Sequence, residues 1–303
     1  MFDQKVRVAD LTVAISTQNR PEALALCLDA LLKSEVLPAE IVVVDQSKEE
    51  ETCRIVNERK RNGAAILYYH QDGKGLGASQ NMAICLASAS IVAVTDDDCV
   101  PMPDWVAKIE QVLAPERPID GVTGRVLPVE SKEPGLFAVS SRTSPLRRDF
   151  DQRAMPWEVG SGNNFAVRRS LLVKVGGNDE RLGPGSPGLG GVDMDLFYRL
   201  LRAGARIRYE PDLIVKHART TLAGRLNRRF PYGYGMGACC SLWLLGGDWN
   251  AVRIFFRWWL MRGRRFTSGF FHRNWLLAYE ELLVLFGTLR GLSYGIRVKN
   301  ESN

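Results

Sequence analysis

Residues 91–98 read IVAVTDDD, a short apolar run that ends in three consecutive aspartates. A continuous apolar run of this kind is typical of a strand that is buried on both faces of a parallel sheet. Three adjacent carboxylates repel one another, and a hard divalent cation with oxygen ligands relieves that repulsion. The stretch therefore predicts a buried strand that ends at a site for Mg²⁺ or Mn²⁺, with a solvated acidic turn as the alternative interpretation.

The residues before this strand alternate between strand and helix patterns. Strands are predicted at 6–15, 40–45 and 65–69, and helices at 21–32, 49–62 and 77–89. Such alternation is typical of a doubly wound parallel sheet, whose ligands bind outside the carboxyl ends of the strands. Polar residues follow all four strand ends, namely Thr17, Asn19 and Arg20, then Asp45 and Ser47, then Asp72 to Gly77, then Asp96 to Asp98. Loops are polar in any case, but four such ends together predict one shared site.

Two segments in the second half of the chain carry further candidate residues. Residues 182–191 are rich in glycine and proline and precede a helix predicted at 191–202. A loop of this composition can fold over a substrate and place Asp193 as a general base toward a hydroxyl. Asp195 either contacts the substrate or caps the helix. His217 ends a strand predicted at 207–216, and it is either a structural hydrogen-bonding residue or a ligand that joins carboxylates around Mn²⁺.

Small residues and amides are concentrated at 160–165, which read GSGNNF. Small residues permit close approach of the backbone to a ligand, and amide side chains offer donors and acceptors for sugar hydroxyls. A simple turn before the helix predicted near residue 168 explains the segment equally well. Residues 73–77, GKGLG, fit neither the Walker nor the dinucleotide-binding spacing, so they are a weak phosphate motif.

The net charge of +6 is distributed unevenly along the chain. Residues 1–217 carry −3 and residues 218–303 carry +9. A nucleic-acid-binding fold would interleave basic residues throughout, so nucleic acid is not an expected partner. Residues 251–265 place arginines on one helical stripe and aromatic residues around it, namely Arg253, Arg257 and Arg264 with Phe255, Phe256, Trp258 and Trp259. This pattern predicts a helix that lies on an anionic membrane surface, with packing on the catalytic domain or on a second subunit as the alternative.

Taken in order, these segments resemble glycosyltransferase family 2 over about residues 10–240. The matching motifs are STQNRPE at 16–22, VVDQS at 43–47, GLGASQN at 75–81, TDDD at 95–98, GSGNNFAVRR at 160–169, DMDLFYRL at 193–200, YEP at 209–211 with His217, and YGYGMG at 232–237. The resemblance implies a GT-A fold, an α/β fold with a Rossmann-like, mostly parallel central sheet, for residues 1–220. Within that domain it implies a nucleotide-sugar half at about 1–100 and an acceptor half at about 101–220. Residues 221–303 would form a helical, basic and aromatic-rich extension.

The resemblance also implies an activity and a set of site residues. The activity is that of an inverting, metal-dependent enzyme that transfers a sugar from UDP or dTDP to an acceptor hydroxyl, in polysaccharide, cell-wall or glycolipid synthesis. Asp193 would be the catalytic base, and a divalent cation (Mn²⁺ or Mg²⁺) would be held by Asp96, Asp98 and His217, with Asp97 able to exchange roles with Asp98. Donor contacts would come from Thr17, Asn19, Arg20, Asp45, Asp72, Gly75, Asn81, Asp96 and Asp97. Acceptor or sugar contacts would come from Gly162, Asn163, Asn164 and Asp195.

Two positions depart from the family pattern. Val192 stands where the family usually has glutamate before the catalytic base, and Gln80 stands where it often has arginine. The first departure leaves open a catalytically silent GT-A-fold protein that binds a sugar or organises an assembly. A nucleotidyltransferase is a further alternative, but it would not need Asp193 and His217 in this arrangement.

The expected location is the cytoplasm, with peripheral attachment to the inner face of the membrane. The first ten residues lack the apolar region of a secretory signal, and the six cysteines form no CxxC pair. No run of eighteen apolar residues follows residue 225, so no membrane-spanning helix is predicted there. Expected partners are the nucleotide-sugar, a sugar or lipid-linked acceptor, an anionic membrane surface and a possible second copy of the chain.

Overall fold

The computed structural model describes residues 7–61, 65–139 and 142–301. Val6, the start of the first predicted strand, and Asn62, the end of the second predicted helix, lie outside the described residues. The first third of the chain forms the elements β1 Val8–Thr17, α1 Pro21–Leu32, β2 Leu37–Asp45, α2 Glu51–Arg61, β3 Ile66–His70, α3 Leu76–Leu86 and β4 Ile91–Asp96. The four strands pair in parallel in the order β3-β2-β1-β4.

The sheet continues beyond β4 with strands from the middle of the chain. The next elements are β5 Cys99–Pro101, α4 Trp105–Val112, β6 Gly121–Pro128, β7 Arg148–Phe150, α5 Pro156–Val159, β8 Asn164–Arg168, α6 Arg169–Lys174, α7 Val192–Arg202 and β9 Ile207–His217. The full order is β3-β2-β1-β4-β8-β6-β9-β5, and β7 pairs with β9. β8 is antiparallel to β4 and β6, whereas β6 and β9 run with the first four strands. The predicted α/β fold with a mostly parallel central sheet is confirmed.

The sheet is buried on both faces, which explains the continuous apolar run in β4. Ala93 lies in a core with residues of α1 and α4, while Val92 and Val94 lie in a second core with residues of α3, α6 and α7. Successive side chains of a strand point to opposite faces, so a strand between two helical layers needs apolar residues at every position. The polar residues are thereby displaced to the strand ends.

Residues 222–301 contain four helices that pack on the α/β domain. They are α8 Leu222–Asn227, α9 Arg229–Leu245, α10 Asn250–Phe271 and α11 Trp275–Glu301. A third core joins α9, α10 and α11 to Leu182 and to residues of α7. Among the described residues, no helix combines the length and the apolar character needed to cross a bilayer. The division of the catalytic domain into a donor half and an acceptor half stays a prediction.

Candidate active site

The acidic triplet connects two strands, and the second of them brings in His217. β4 ends at Asp96, and β5 begins at Cys99 and pairs antiparallel with β9, so that Cys99 lies opposite His217. The backbone N–H of Ala218 donates to the carbonyl of Asp98 over 2.9 Å and ties the turn to the end of β9. As a result, Nε2 of His217 lies 3.5 Å from Oδ1 of Asp98.

These two side chains face each other in a manner that suits a cation. Nδ1 of His217 lies 2.8 Å from the carbonyl oxygen of Ala218, which can only accept, so Nδ1 carries the proton. Nε2 is then the ring nitrogen that faces Asp98, whose Oδ1 is buried and has no hydrogen-bond partner among the described residues. An imidazole nitrogen and a carboxylate oxygen that face each other are the ligand types that a divalent cation such as Mn²⁺ accepts. Ligand atoms of Asp98, Cys99 and His217 lie within 4.8 Å of one another.

Asp97 faces away from His217 and supports the triplet from the side of β1. It is fully buried, and its Oδ2 accepts from the hydroxyl of Thr17 over 2.7 Å. Arg20 bridges the triplet, with 3.0 Å from Nη2 to Oδ1 of Asp97 and 2.7 Å from Nη1 to Oδ2 of Asp98. Burial raises the pKa of Asp97 to about 6, and the charge of Arg20 opposes that rise. Asp98, rather than Asp97, is therefore the aspartate that lies beside His217.

Asp96 interacts electrostatically with the other two aspartates of the triplet and with the candidate base Asp193. Burial, followed by the charges of Asp98 and Asp97, raises the pKa of Asp96 to about 8, and the charge of Asp193 adds to the rise. Asp96 is not part of the cluster of potential ligand atoms found among the described residues. Of the three predicted metal ligands, the structure therefore brings Asp98 and His217 together and leaves Asp96 beside them.

The ends of β1 and β2 form the predicted nucleotide side of the site. Asp45 is fully buried, with Oδ1 accepting from the N–H of Ser47 and Oδ2 accepting from the hydroxyl of Tyr68, both at 2.8 Å. Asn19 adopts a φ of 54° and donates its N–H to the hydroxyl of Ser47 over 2.7 Å. A small cleft of about 130 Å³ opens beside Asn19 and Ser47.

The loop after β3 holds the residues Asp72 and Gly75. Gly75 has a φ of 89°, and a Cβ there would lie 2.4 Å from the hydroxyl of Ser186, so the glycine-rich loop 182–191 contacts this loop directly. Gln46 clamps Gly75 by accepting from its N–H at 3.3 Å and donating to its carbonyl at 3.2 Å. Asp72 is exposed. Gln46 lies in the VVDQS motif beside Asp45, and the motif alone does not indicate its contacts with Gly75.

Asp193 lies in the first turn of α7, where backbone N–H groups hold its carboxylate. Its Oδ2 accepts from Gly162 over 3.0 Å, and its Oδ1 accepts from Met194 over 2.9 Å. A Cβ on Gly162 would lie 3.0 Å from the Cβ of Asp193, so only glycine fits here without displacement. Burial raises the pKa of Asp193, and the hydrogen bonds from Met194 and Gly162 oppose that rise.

Three predicted contact residues have hydrogen-bond partners within the protein. Asn164 is fully buried; it accepts from Trp105 Nε1 at 2.9 Å and donates to two backbone carbonyls, which uses both of its N–H donors. Asp195 is buried between Arg199, at 2.7 Å, and Trp243 Nε1, at 2.8 Å. Asn81 accepts from the N–H of Asn178 and donates to its carbonyl. The sugar-contact roles of Asn164 and Asp195 and the donor-contact role of Asn81 stay predictions.

Asn163 remains available for a ligand. It is 3% exposed, and its Oδ1 is buried without a hydrogen-bond partner among the described residues. It immediately precedes β8 and so points differently from Asn164, because side chains alternate between the faces of a strand.

Arg142 is a site residue that no sequence motif indicated. Its Nη2 donates to the carbonyl of Trp157 over 2.7 Å and, with Nε, to the carbonyl of Gly160. Burial lowers the pKa of Arg142, and the nearby hydroxyl of Tyr232 and the charge of Asp193 counter that effect. In return, its positive charge lowers the pKa of Asp193. Arg142 lies in a long loop, and a loop arginine carries no periodic signal that would reveal it.

The predicted membrane helix also reaches this region. Trp258 of α10 is fully buried, and its ring lies 5.3 Å from that of Trp157 and 5.4 Å from that of Tyr232. The inner face of α10 therefore packs on Trp157, whose carbonyl accepts from Arg142. This face of α10 thus packs on the catalytic domain, which was the alternative to membrane contact.

The chain is similar in sequence to known glycosyltransferases. The chain is 27% identical over 233 residues to the pre-mycofactocin glycosyltransferase of Mycobacterium tuberculosis, and the match covers 74% of this chain and 46% of that protein. The chain thus spans about half the length of this relative. It is 23% identical to the glucosyl-dolichyl phosphate glucuronosyltransferase of Haloferax volcanii, with 74% of each chain covered.

Solved structures show the same fold at lower sequence identity. The mannosyltransferase PcManGT from Pyrobaculum calidifontis, in complex with GDP-Man and Mn²⁺, superposes with a TM-score of 0.62 at 16% identity, covering 93% of this chain and 87% of that one. TarS from S. aureus, in complex with UDP-GlcNAc, superposes with a TM-score of 0.60 at 15% identity, covering 94% and 91%. The sequence model of Glycosyl transferase family 2 matches residues 12–176. Because that match covers more than half of the 303 residues, the chain belongs to glycosyl transferase family 2.

Proposed function

We propose that this chain is an inverting glycosyltransferase that moves a sugar from a UDP- or dTDP-sugar to an acceptor hydroxyl with the help of Mn²⁺ or Mg²⁺. The observation that carries the proposal is the pairing of Asp98 and His217 at the end of the central strand, with Asp193 near enough to act on Asp96. Structural neighbours that bind UDP-GlcNAc, or GDP-Man with Mn²⁺, support a nucleotide-sugar donor.

The residues of the site have different roles in the proposed reaction. A cation held by Asp98 and His217, with Asp96 beside them, would neutralise the charge that develops on the leaving diphosphate. Thr17 and Arg20 hold the triplet in place through Asp97 and Asp98, and Asn163 offers an unpaired amide oxygen to a sugar hydroxyl.

Asp193 accepts the proton of the acceptor hydroxyl. The freed oxygen attacks the anomeric carbon from the side opposite the diphosphate. The bond from that carbon to the diphosphate oxygen breaks, and its electron pair leaves with the nucleotide. Attack on the opposite side inverts the configuration of the anomeric carbon. The backbone N–H groups of Gly162 and Met194 orient the carboxylate for this step.

The acceptor that we propose is lipid-linked or a growing polysaccharide, used at the cytoplasmic face of a membrane. Relatives named glucosyl-dolichyl phosphate glucuronosyltransferase and O-antigen chain rhamnosyltransferase support this class of acceptor. The net charge of +9 on residues 218–303 supports attachment to an anionic membrane surface.

The alternative of a catalytically silent protein rested on Val192. The side chain of Val192 is 5% exposed and packs against Gly183. A Cβ added to Gly183 would lie 3.1 Å from Cγ1 of Val192. Val192 thus fills a core between the glycine-rich loop and α9, and the loss of a carboxylate there leaves Asp193 with both of its backbone donors. No contact of this residue favours the silent protein over the enzyme.

Turnover of radiolabelled nucleotide-sugars in the presence of Mn²⁺ tests the proposal. We expect release of nucleotide and transfer of label by the wild type, and a loss of about 10²–10⁴-fold in Asp193→Asn, because the general base is removed. Asp212→Asn is the matched control, since Asp212 is 66% exposed and lies on β9 away from the triplet. Equal activity in Asp193→Asn and the control would exclude Asp193 as the base, and no turnover of any donor by the wild type would favour the silent protein.

A further inference from the structure

The long helix α11 buries two carboxylates on its inner side and exposes a row of large apolar side chains on its outer side. Glu280, Glu281 and Thr288 are at most 3% exposed. The outer face carries large apolar residues that are between 49% and 64% exposed, namely Trp275, Tyr279, Leu282, Phe286, Leu289 and Ile296. Their spacing of three, four and seven residues places them on one helical stripe about 30 Å long. We call this stripe the outer face of α11.

The inward charges fix the rotation of the helix about its axis. Glu280 is paired with Arg225 of α8 and with Arg229 of α9. Glu281 is paired with Arg262 and Arg265 of α10, at 3.2 Å and 2.6 Å. Rotating α11 to bury its outer face would expose four ion pairs and pull both carboxylates away from their partners, so the apolar face stays outward.

Close packing on the opposite side holds α11 against α9. A Cβ on Gly291 would lie 2.0 Å from the carbonyl oxygen of Tyr234, and a Cβ on Gly237 would lie 2.1 Å from that of Thr288. Trp258 of α10 donates its Nε1–H to the hydroxyl of Thr288 over 3.0 Å. The outer face is therefore presented on a rigid layer of three helices.

The corner between α10 and α11 extends the apolar surface. Phe270 and Phe271 are 52% and 79% exposed, and the ring of Phe270 lies 5.5 Å from that of Trp275. Monomeric proteins seldom expose a continuous apolar surface that joins a whole helix face to an aromatic corner. Such a surface needs an apolar environment to cover it.

The charges around this surface select the kind of environment. Both helices carry exposed arginines, namely Arg253, Arg257 and Arg264 on α10 and Arg290 and Arg297 on α11. α10 contains no acidic residue, and the two described carboxylates of α11 are buried and paired. A second copy placed on this face would bring arginines against arginines, whereas the phosphates of a bilayer would pair with them.

We infer that the outer face of α11 and the Phe270–Trp275 corner lie in the headgroup layer of an anionic lipid bilayer, with the helix parallel to the surface. The apolar side chains reach the acyl boundary and the arginines remain at the level of the phosphates. The structure thus adds α11 to the helix at 251–265 that the sequence pattern indicated. The inner residue Trp258 of α10 packs on the catalytic domain, while Phe256 and Leu260 on its outer side are 57% and 58% exposed. The inference that the protein docks on a bilayer depends on these helices alone. The further step, that docking brings the enzyme to a lipid-linked acceptor, rests on the proposed function.

Flotation of the full chain with lipid vesicles tests this inference. We expect the wild type to float with vesicles of phosphatidylglycerol and phosphatidylcholine and to bind weakly to phosphatidylcholine alone. The double variant Leu282→Asp with Phe286→Asp should bind the anionic vesicles less tightly by about tenfold or more, because two half-exposed apolar side chains are lost from the bilayer. The matched control is Leu26→Asp with Leu146→Asp, at positions that are 63% and 73% exposed on the catalytic domain, and it should bind as the wild type does.

Three results would overturn the inference. The first is that the wild type does not bind the anionic vesicles, and the second is that both double variants lose vesicle binding equally. The third is that the lipid-free wild type is a dimer by sedimentation velocity and that Leu282→Asp with Phe286→Asp dissociates it. The last result would make a second copy the partner. Hydrolysis of the nucleotide-sugar in the absence of lipid is measured on the same proteins. Turnover without vesicle binding would reject the docking and leave the proposed transferase activity intact. Vesicle binding without turnover would reject the proposed transferase activity and leave the docking intact.

Discussion

At the scale of single residues, hydrogen bonds to backbone groups set the chemistry of the site. The carbonyl of Ala218 fixes the tautomer of His217, and the N–H groups of Gly162 and Met194 fix the carboxylate of Asp193. Partners of this kind orient a ligand or a base more firmly than side-chain contacts, since the backbone moves little. Arg142 is the charged residue that acts on Asp193, and the carbonyls of Trp157 and Gly160 hold it in turn.

The effect of Arg142 on Asp193 leads to a prediction about pH dependence. Asp193 must be deprotonated to act as a base, so kcat/KM falls as the pH drops through its pKa, which burial raises from its ordinary value. Arg142→Gln removes a charge that lowers this pKa, so the acid limb of the kcat/KM profile should move to higher pH. Arg142→Lys keeps the charge but loses the paired carbonyl contacts, and its acid limb should stay close to that of the wild type. If both variants lose activity equally with unmoved limbs, Arg142 has only a structural role.

At the scale of secondary-structure elements, glycine decides how closely the C-terminal helices approach one another. α9 and α11 meet at glycines on both helices, and the positions of Gly233, Gly237, Gly287 and Gly291 each place a hypothetical Cβ within 2.4 Å of a backbone oxygen of the facing helix. Backbones that approach this closely leave no room for a methyl group. The same helices carry the buried ion pairs that orient α11.

A substitution at one of these glycines should therefore destabilise the protein. Gly291→Ala places a methyl group on the carbonyl of Tyr234, and we expect a decrease of about 1–3 kcal/mol in the free energy of unfolding, measured with urea. Gly263→Ala is the matched control, since Gly263 lies within α10 and a Cβ there meets nothing within 4 Å. The control should raise the stability by about 0.5–1 kcal/mol, because alanine favours the helix. A neutral Gly291→Ala would contradict the close packing described for α9 and α11.

At the scale of the whole molecule, the first four strands and β9 were predictable because their apolar patterns are a local property, whereas β5, β6, β7 and β8 were not predicted. α1 was predicted with the bounds that the structure has, and α7 and β9 differ by one residue. The side-chain directions were not predictable in this way. Asn163 and Asn164 read alike in a motif, yet the amide oxygen of Asn163 has no partner among the described residues and that of Asn164 accepts from Trp105, and Asp193 and Asp195 lie on opposite sides of one helix. The contacts of Arg142 depend on tertiary structure that no local pattern encodes.

The central claim is that Asp98 and His217 hold the cation that the nucleotide-sugar needs. Thermal-shift measurements with a panel of nucleotide-sugars, with and without Mn²⁺, identify the donor for the wild type. A donor at a hundred times its Kd adds about 2.7 kcal/mol of stability, which raises the Tm by several degrees. Asp212→Asn serves again as the control for the loss of one carboxylate. The account predicts that Mn²⁺ enhances the donor-dependent rise in Tm in the wild type and in Asp212→Asn but not in Asp98→Asn. An equal Mn²⁺-dependent rise in Asp98→Asn would contradict it.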